Sequence, residues 1–125
     1  MESPMQPDMI DKIRGAIENL LERDPSKSFL IIEEIHTHKF VQFAGHPGRR
    51  LFFDLPSQIL TDEEMEDARY VLAAFDVFYI QWKDSPHGSY SNYLDNVDEA
   101  VELTIQVITE VFRFDDDVQL KIIEN

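Results

Sequence analysis

The sequence predicts a single α+β domain spanning residues 1–125, in which an antiparallel sheet of five or six strands carries its helices on one face. Three observations support this fold class. A hairpin pattern runs from Lys39 to Leu55, three segments have the apolar spacing of amphipathic helices, and 125 residues suffice for one core. Because helices and a sheet bury their apolar sides against each other, we expect the order α-β-β-β-α-β-β-α with a final strand.

The hairpin fixes which way the sheet faces. If Ala44 pairs with Arg50, alternate side chains of its two strands fall on one side. We expect helices to cover that side, which carries Val41, Phe43, Leu51 and Phe53. The opposite side carries Phe40, Gln42 and Phe52. Two uncovered aromatic side chains beside a glutamine are typical of a binding or subunit surface, so we predict that these three residues bind a partner.

Helix one is predicted from Asp8 to Asp24, because its apolar residues recur at steps of three and four. Pro25 ends it, since a residue before proline is pushed out of the helical region. Residues 1–7 are expected to form a flexible leader. Gly15 lies inside this helix, where it either marks close packing or weakens the helix by up to about 1 kcal/mol.

Helices two and three have clear start signals. The sequence Thr61-Asp62-Glu63-Glu64 is a capping box that opens helix two, which is expected to end near Asp76. Asn96 is the predicted cap of helix three, Val97 to Phe112, with Glu99 at the capping-box position. Helix three is apolar on more than one stripe, and such a helix is normally buried on two sides. A second copy of the chain is the most economical cover, so we predict a homodimer.

Four further strands complete the predicted sheet. Ser28 to Ile35 is rich in β-branched and aromatic residues, and both of its faces are apolar early and charged later. Val77 to Asp84 follows helix two, and Tyr90 to Leu94 comes next along the chain. Val118 to Ile123 is the final strand. In the strand after helix two, alternation makes one set the better core face, namely Phe78, Ile80 and Trp82.

The composition excludes several classes of function. Eleven basic and 25 acidic residues give a net charge of -14, which disfavours nucleic acids and anionic membranes. The same field can steer a basic protein or peptide to the surface, although solubility alone is the simpler interpretation of most of these charges. The absence of cysteine excludes disulfides, thiolate metal sites and cysteine nucleophiles. The start of the chain has no signal-peptide pattern and no apolar stretch approaches the ~20 residues of a membrane span, so we expect a cytoplasmic protein.

The sequence contains no recognisable catalytic motif. It lacks the Walker spacing, the dinucleotide fingerprint and the nucleophile elbow, so we expect no enzyme and no cofactor. One alternative stays open, in which His36 and His38 combine with Glu34 in a metal site. A polar turn is the simpler interpretation of these residues, because three ligands with closed geometry are not evident, and we expect no metal.

Three short motifs resemble those of a known chaperone group. The words Phe40-Val41-Gln42-Phe43, Leu60-Thr61-Asp62-Glu63-Glu64 and Asn92-Tyr93 occur in the order found in the peptide-binding TY-Chap group, over about residues 38 to 114. The element order also resembles the type III secretion chaperone fold and the related YbjN proteins. The chain departs from the group after the middle helix, where a Gly-Trp pair is common and Phe75-Asp76-Val77-Phe78 stands here.

The resemblance implies a small, acidic, dimeric protein without ATPase machinery that holds an extended client segment along apolar grooves. It supplies no catalytic residues. We therefore predict a non-enzymatic, chaperone-like module whose partner is a protein or peptide client. Its binding face is predicted at Phe40, Gln42 and Phe52, with a rim formed by residues whose side chains end in polar groups, namely Tyr90, Asn92 and Tyr93. The alternative is an acidic inhibitor or immunity-type protein that covers a basic site on one partner.

Overall fold

The computed structural model describes residues 5–23, 28–46, 50–81, 83–84 and 86–125. Within these residues the order of elements is α-β-β-β-α-β-β-α-β, and the strands form one antiparallel sheet in the order β4-β5-β3-β2-β1-β6. The bounds are α1 Pro7–Glu22, β1 Phe29–Glu34, β2 Phe40–His46, β3 Arg50–Pro56, α2 Asp62–Ala73, β4 Phe78–Gln81, β5 Gly88–Leu94, α3 Val97–Gln106 and β6 Leu120–Glu124. The predicted α+β class and element order are confirmed.

The sheet has an inner face, which the helices cover, and an opposite side, which we call the open face. The four residues predicted to lie under the helices are fully buried on the inner face: Val41, Phe43, Leu51 and Phe53. The register differs from the predicted one by two residues, since Ala44 pairs with Phe52 and Arg50 pairs with His46. Because side chains alternate with a period of two, an even shift leaves every residue on its expected face.

The helical layer has α3 between its two neighbours. The first part of α3 packs against α1, and its π-helical continuation, Val107–Val111, packs against α2. Both apolar stripes of this helix are therefore covered within one chain. The fully buried residues of the helix are Ala100, Val101, Leu103, Thr104, Val107, Ile108 and Val111. Helix three does not need the second copy that we predicted as its cover, because the three-helix layer covers it, and the homodimer stays a prediction.

The helix starts follow the predicted capping signals. The Thr61 hydroxyl accepts a hydrogen bond from the Glu64 amide at 3.1 Å, and the Glu64 carboxylate accepts one from the Thr61 amide at 2.9 Å. The Asn96 side chain likewise accepts from the Glu99 amide at 2.7 Å at the start of α3. These bonds satisfy amides that a helix otherwise leaves without partners. The predicted end of helix one, at Asp24-Pro25, lies outside the described residues.

The predicted core face of β4 was wrong. Phe78 and Ile80 are 56% and 39% exposed on the open face, whereas Val77 is buried and Tyr79 lies on the helical side. Trp82, the third residue of the predicted set, lies outside the described residues. The physical reason is that β4 is an edge strand, so its pairing with β5 decides which of its two apolar sides meets the helices.

The predicted flexible leader was wrong at its last part. Met5 is only 3% exposed and belongs to the hydrophobic core, and α1 begins at Pro7. Residues 1–4 lie outside the part of the chain that the structure describes. A methionine next to the helix start is buried because its long apolar side chain reaches back onto the core, which polar composition around it does not reveal.

Candidate functional site

The open face is the surface that the fold leaves to a partner. Phe40, Gln42 and Phe52 all lie on it, each half-buried, on the two central strands β2 and β3. The alternation of the neighbouring strands adds further side chains to the same face: Phe29, Ile31, Ala44, Asp54, Phe78, Ile80, Ser91 and Tyr93. Within the described residues, no helix covers these side chains, so the aromatic members retain contact with water.

The structure separates the three residues predicted for the rim. Tyr93 lies on the open face, but placing Tyr90 there was wrong, because it is 4% exposed on the inner side and its hydroxyl donates to the carbonyl of Met65 at 3.2 Å. Burial raises the pKa of the Tyr90 phenol. Asn92 alternates with Tyr93, so it points to the inner side, where its amide donates to the carbonyl of Asp76 at 2.6 Å. Tyr93 is therefore the rim residue that shares a face with the predicted binding surface.

An aromatic pair lies at one end of the open face. The rings of Phe52 and Tyr93 meet edge to face with centroids 5.0 Å apart. The guanidinium of Arg50 lies 4.6 Å from the centroid of the Tyr93 ring, and its Nε is 3.3 Å from Asp95 Oδ1. This face therefore already contains an arginine held between an aromatic ring and a carboxylate.

A depression of ≈ 280 Å³ lies beside this pair, and we call it the Asp54 slot. It forms because Ala44 stands between Phe29 and Phe52 in the register of three adjacent strands, so a methyl group separates two large side chains. Asp54 and Gln42 form another part of its lining, and the Gln42 amide donates to Asp54 Oδ2 at 2.6 Å. Among the described residues, no lysine or arginine forms an ion pair with Asp54.

Polar groups continue next to Asp54 along the same row of the open face. Asp54 of β3 is paired with Ser91 of β5 on one side and with Gln42 of β2 on the other. Ser91 is 2% exposed, and its hydroxyl finds no hydrogen-bond partner in the described part of the chain. A buried hydroxyl without a partner is energetically unfavourable, so Ser91 is a strained point of the row behind the Asp54 slot.

The charge of the protein is distributed unevenly between its two layers. On the open face, Glu33 and Asp54 are balanced by Arg50 and Lys121. The exposed acids of the helices dominate the other layer, and they include Asp8, Asp11, Glu18, Glu22, Asp62, Glu63, Glu66, Asp98, Glu102 and Glu110. Most of the exposed acids of the described residues thus lie on the helical side, and the open face is mainly apolar.

The alternative metal site at the turn after β1 was wrong. Glu34 is buried, and its carboxylate accepts a hydrogen bond from the Thr37 amide at 2.7 Å. His38 points elsewhere, with Nδ1 3.0 Å from Glu33 Oε2, and His36 is exposed. In the described ranges, no group of three or more His, Cys, Asp or Glu side chains is arranged to hold a metal ion. The carboxylate of Glu34 closes the turn instead.

Several residues of the open face were missed by the sequence reasoning. Asp54 and Ala44 follow directly from alternation, because each lies two positions from a residue already predicted for that face. Phe29 was ambiguous, since both sides of the first strand are apolar at its start. Phe78 and Ile80 were assigned to the core because they are the more apolar set of their strand. Only the pairing of that strand with β5 shows otherwise.

Two further findings concern the helices of the chain and its similarity to known proteins. None of the helices in the described parts of the chain combines the length and the apolar character that crossing a membrane requires. Comparisons with protein-family models, with curated proteins and with solved structures find no match for the chain.

Proposed function

We propose that this protein is a non-enzymatic, cytoplasmic, chaperone-like module that holds an extended segment of a client protein against its open face. The observation that carries the proposal is the set of aromatic and aliphatic side chains on this face that no helix of the described chain covers, with Phe78 56% exposed. Proteins that act alone rarely expose a continuous apolar surface, because burying it against a partner is favourable.

The shape of the open face favours an extended segment. The face is a sheet surface in which side chains stand in rows across neighbouring strands, and small residues such as Ala44 leave depressions between larger ones. An extended chain projects successive side chains in opposite directions, so every second one can enter such depressions. A flat, partly aromatic surface therefore suits a client without secondary structure of its own.

The resemblance to the TY-Chap group supports the same proposal. Chaperones of that kind are small and acidic and hold clients along apolar surfaces without ATPase machinery. The chain shares the acidic net charge of -14 and the α+β order of elements that the resemblance implied. The open face, rather than a groove beside helix three, is the surface that we assign to the client.

Selection from a phage library of random peptides tests this proposal. The selection uses the wild-type protein, and the enriched peptides are then measured on Phe40→Ser/Phe52→Ser, which removes two aromatic rings from the open face. We expect the double variant to bind at least about tenfold more weakly, because two buried aromatic contacts are lost. Tyr70→Ser is the matched control, since Tyr70 is an exposed aromatic residue on α2 in the helical layer.

The control separates loss of the binding face from loss of the fold. Circular dichroism and thermal unfolding are recorded for each variant. If the double variant is folded and binds the peptides as the wild type does, the open face is not the client site. If the double variant unfolds, the two phenylalanines belong to the core and their assignment to the site is wrong; Phe78→Ser, which changes a more exposed ring on the same face, then decides whether that face binds.

The uneven distribution of charge favours a second candidate, an acidic inhibitor or immunity-type protein. In this case the carboxylates of the helical layer would cover a basic site on one specific partner. Asp11→Asn/Glu18→Gln removes two exposed carboxylates from α1 while leaving the open face intact. A partner bound in this way should associate more slowly with the variant and at raised salt, because charge steering is screened by ions. Binding through the open face should respond little to this variant, because both carboxylates lie on α1 in the helical layer.

A further inference from the structure

We propose that the Asp54 slot binds an arginine side chain of the client segment, an inference that rests on the proposed function of the open face. The slot combines aromatic walls, a carboxylate and a small residue at its centre. Phe29 and Phe52 flank Ala44 across three strands, and Asp54 lies one row away on the same face. Such a site fits a cationic group carried on an apolar stem.

The acceptors around the slot favour a guanidinium over an ammonium group. Gln42 donates its amide N–H to Asp54, so its amide oxygen remains an acceptor beside the carboxylate. Asp54 itself offers two carboxylate oxygens in the lining of the slot. A guanidinium has five donors in one plane and can bond to several neighbouring acceptors at once, whereas the lysine ammonium is a compact point charge.

On the open face, an arginine of the chain itself already contacts both an aromatic ring and a carboxylate. Arg50 lies over the ring of Tyr93 and reaches the carboxylate of Asp95, so an arginine is already held between a ring and an acid on this surface. In the Asp54 slot, Phe52 and Asp54 provide an aromatic ring and a carboxylate, and the cation comes from another molecule. Glu33, the other carboxylate of the open face, is paired with His38, whereas Asp54 forms no ion pair among the described residues.

The test uses two synthetic peptides with blocked ends that differ in charge alone. One has the sequence Val-Arg-Val-Arg-Val, and in the other each arginine is replaced by citrulline, which keeps the shape of the side chain but is neutral. Dissociation constants are measured by fluorescence anisotropy, and the contact surface is located from backbone amide NMR shifts. We expect the arginine peptide to bind about tenfold more tightly and to shift the amides of Phe29, Ala44 and Asp54.

Two protein variants separate a specific contact from general attraction. Asp54→Asn keeps the shape of the side chain and should abolish the preference for the arginine peptide. Asp11→Asn removes the same charge from α1, on the far side of the sheet, and should leave the preference intact. Ala44→Met should weaken the binding of the arginine peptide, because the longer side chain fills the slot.

The outcomes distinguish the arginine contact from the proposed function. If both peptides bind equally and both shift amides of the open face, the arginine inference is overturned while the client surface stands. If Asp11→Asn reduces the preference as much as Asp54→Asn, the attraction is a property of the whole charge and the slot is not an arginine site. If neither peptide shifts any amide of the open face, both the slot and the client surface are overturned.

Discussion

The ammonium of Lys39 lies 2.5 Å from Glu64 Oε1, and this ion pair ties the start of β2 to the first turn of α2. Glu64 uses the same carboxylate oxygen to accept from the Thr61 amide in the capping box. Lys39 also donates to the carbonyl of Ile59 and lies over the ring of Phe112. Sheet, helix start and helical layer thus meet at one partly buried charge pair.

Lys39→Met is expected to destabilise the protein by about 1–3 kcal/mol, because Glu64 would keep a mostly buried negative charge without its cation. Urea unfolding monitored by circular dichroism measures the change. The slope of the free energy of unfolding against urea concentration should be the same for wild type and variant, since the surface exposed on unfolding does not change. Lys83→Met is the control, because Lys83 is exposed and forms no ion pair among the described residues. Equal stability of the two variants would contradict the structural role of the pair.

Gly88→Ala is expected to destabilise the β4–β5 hairpin by about 1–3 kcal/mol. A Cβ atom at this position would lie 2.5 Å from the carbonyl oxygen of Ile80 and 2.5 Å from Cζ of Tyr79. The Tyr79 hydroxyl also accepts a hydrogen bond from the Gly88 amide at 3.2 Å, so the ring lies directly over the glycine. Thermal unfolding measures the loss.

Gly15→Ala is the matched substitution with the opposite expected sign. Gly15 is exposed within α1, and a Cβ atom there would meet no other atom within 4 Å. Close packing is therefore not the reason for this glycine, and alanine should stabilise the protein by up to about 1 kcal/mol through helix propensity. A loss of stability for Gly15→Ala in the same thermal assay would contradict this account of the helix.

Asp76→Gly is expected to stabilise the protein by up to about 1 kcal/mol. Asp76 follows α2 with φ of 59°, in the left-handed region that glycine adopts without strain. Arg113 has φ of 61° after the third helix, but its guanidinium pairs with Asp67 and Glu63. Arg113→Gly should therefore raise the free energy of unfolding by less than Asp76→Gly does. Chemical denaturation measures both changes. The reverse order would show that these exposed ion pairs contribute nothing measurable.

Glu34 should make the protein more stable at neutral pH than at acidic pH. Burial pushes the pKa of its carboxyl upward, but hydrogen bonds from the backbone of Thr37 and His36 outweigh burial, so the pKa lies below its ordinary value. A carboxyl with a lowered pKa in the folded state stabilises the fold above its unfolded pKa. This contribution is lost as the pH falls through the folded pKa.

The comparison of wild type with Glu34→Gln measures this contribution. The difference in unfolding free energy should be present at neutral pH and should shrink as acid protonates Glu34 in the wild type. A carboxyl carbon NMR titration locates the pKa directly. A pKa above the ordinary glutamate value would mean that burial outweighs the turn hydrogen bonds, contrary to the geometry at Thr37.

Much of the candidate site could be predicted from alternation along the hairpin. Phe40, Gln42 and Phe52 share a face whatever the exact register, because any even shift preserves the side on which a residue lies. Tyr90 could not be placed in this way. Its strand pairs with β3 far along the chain, and that pairing puts Tyr90 under the helices, where its hydroxyl reaches the backbone of Met65.

The sequence by itself determined the elements whose signals are local. The capping box at Thr61, the cap at Asn96 and the two-residue period of the hairpin each act within a few residues, so they predict helix starts and strand faces without knowledge of the rest of the chain. Tertiary structure alone decided that α3 is covered by its neighbours, that β4 turns Phe78 to the open face, and that Ala44 leaves a slot beside Asp54. The cover of α3 depends on contacts between segments distant in sequence, whereas the facing of β4 and the slot depend on strand registers. Both are fixed by packing of the whole core.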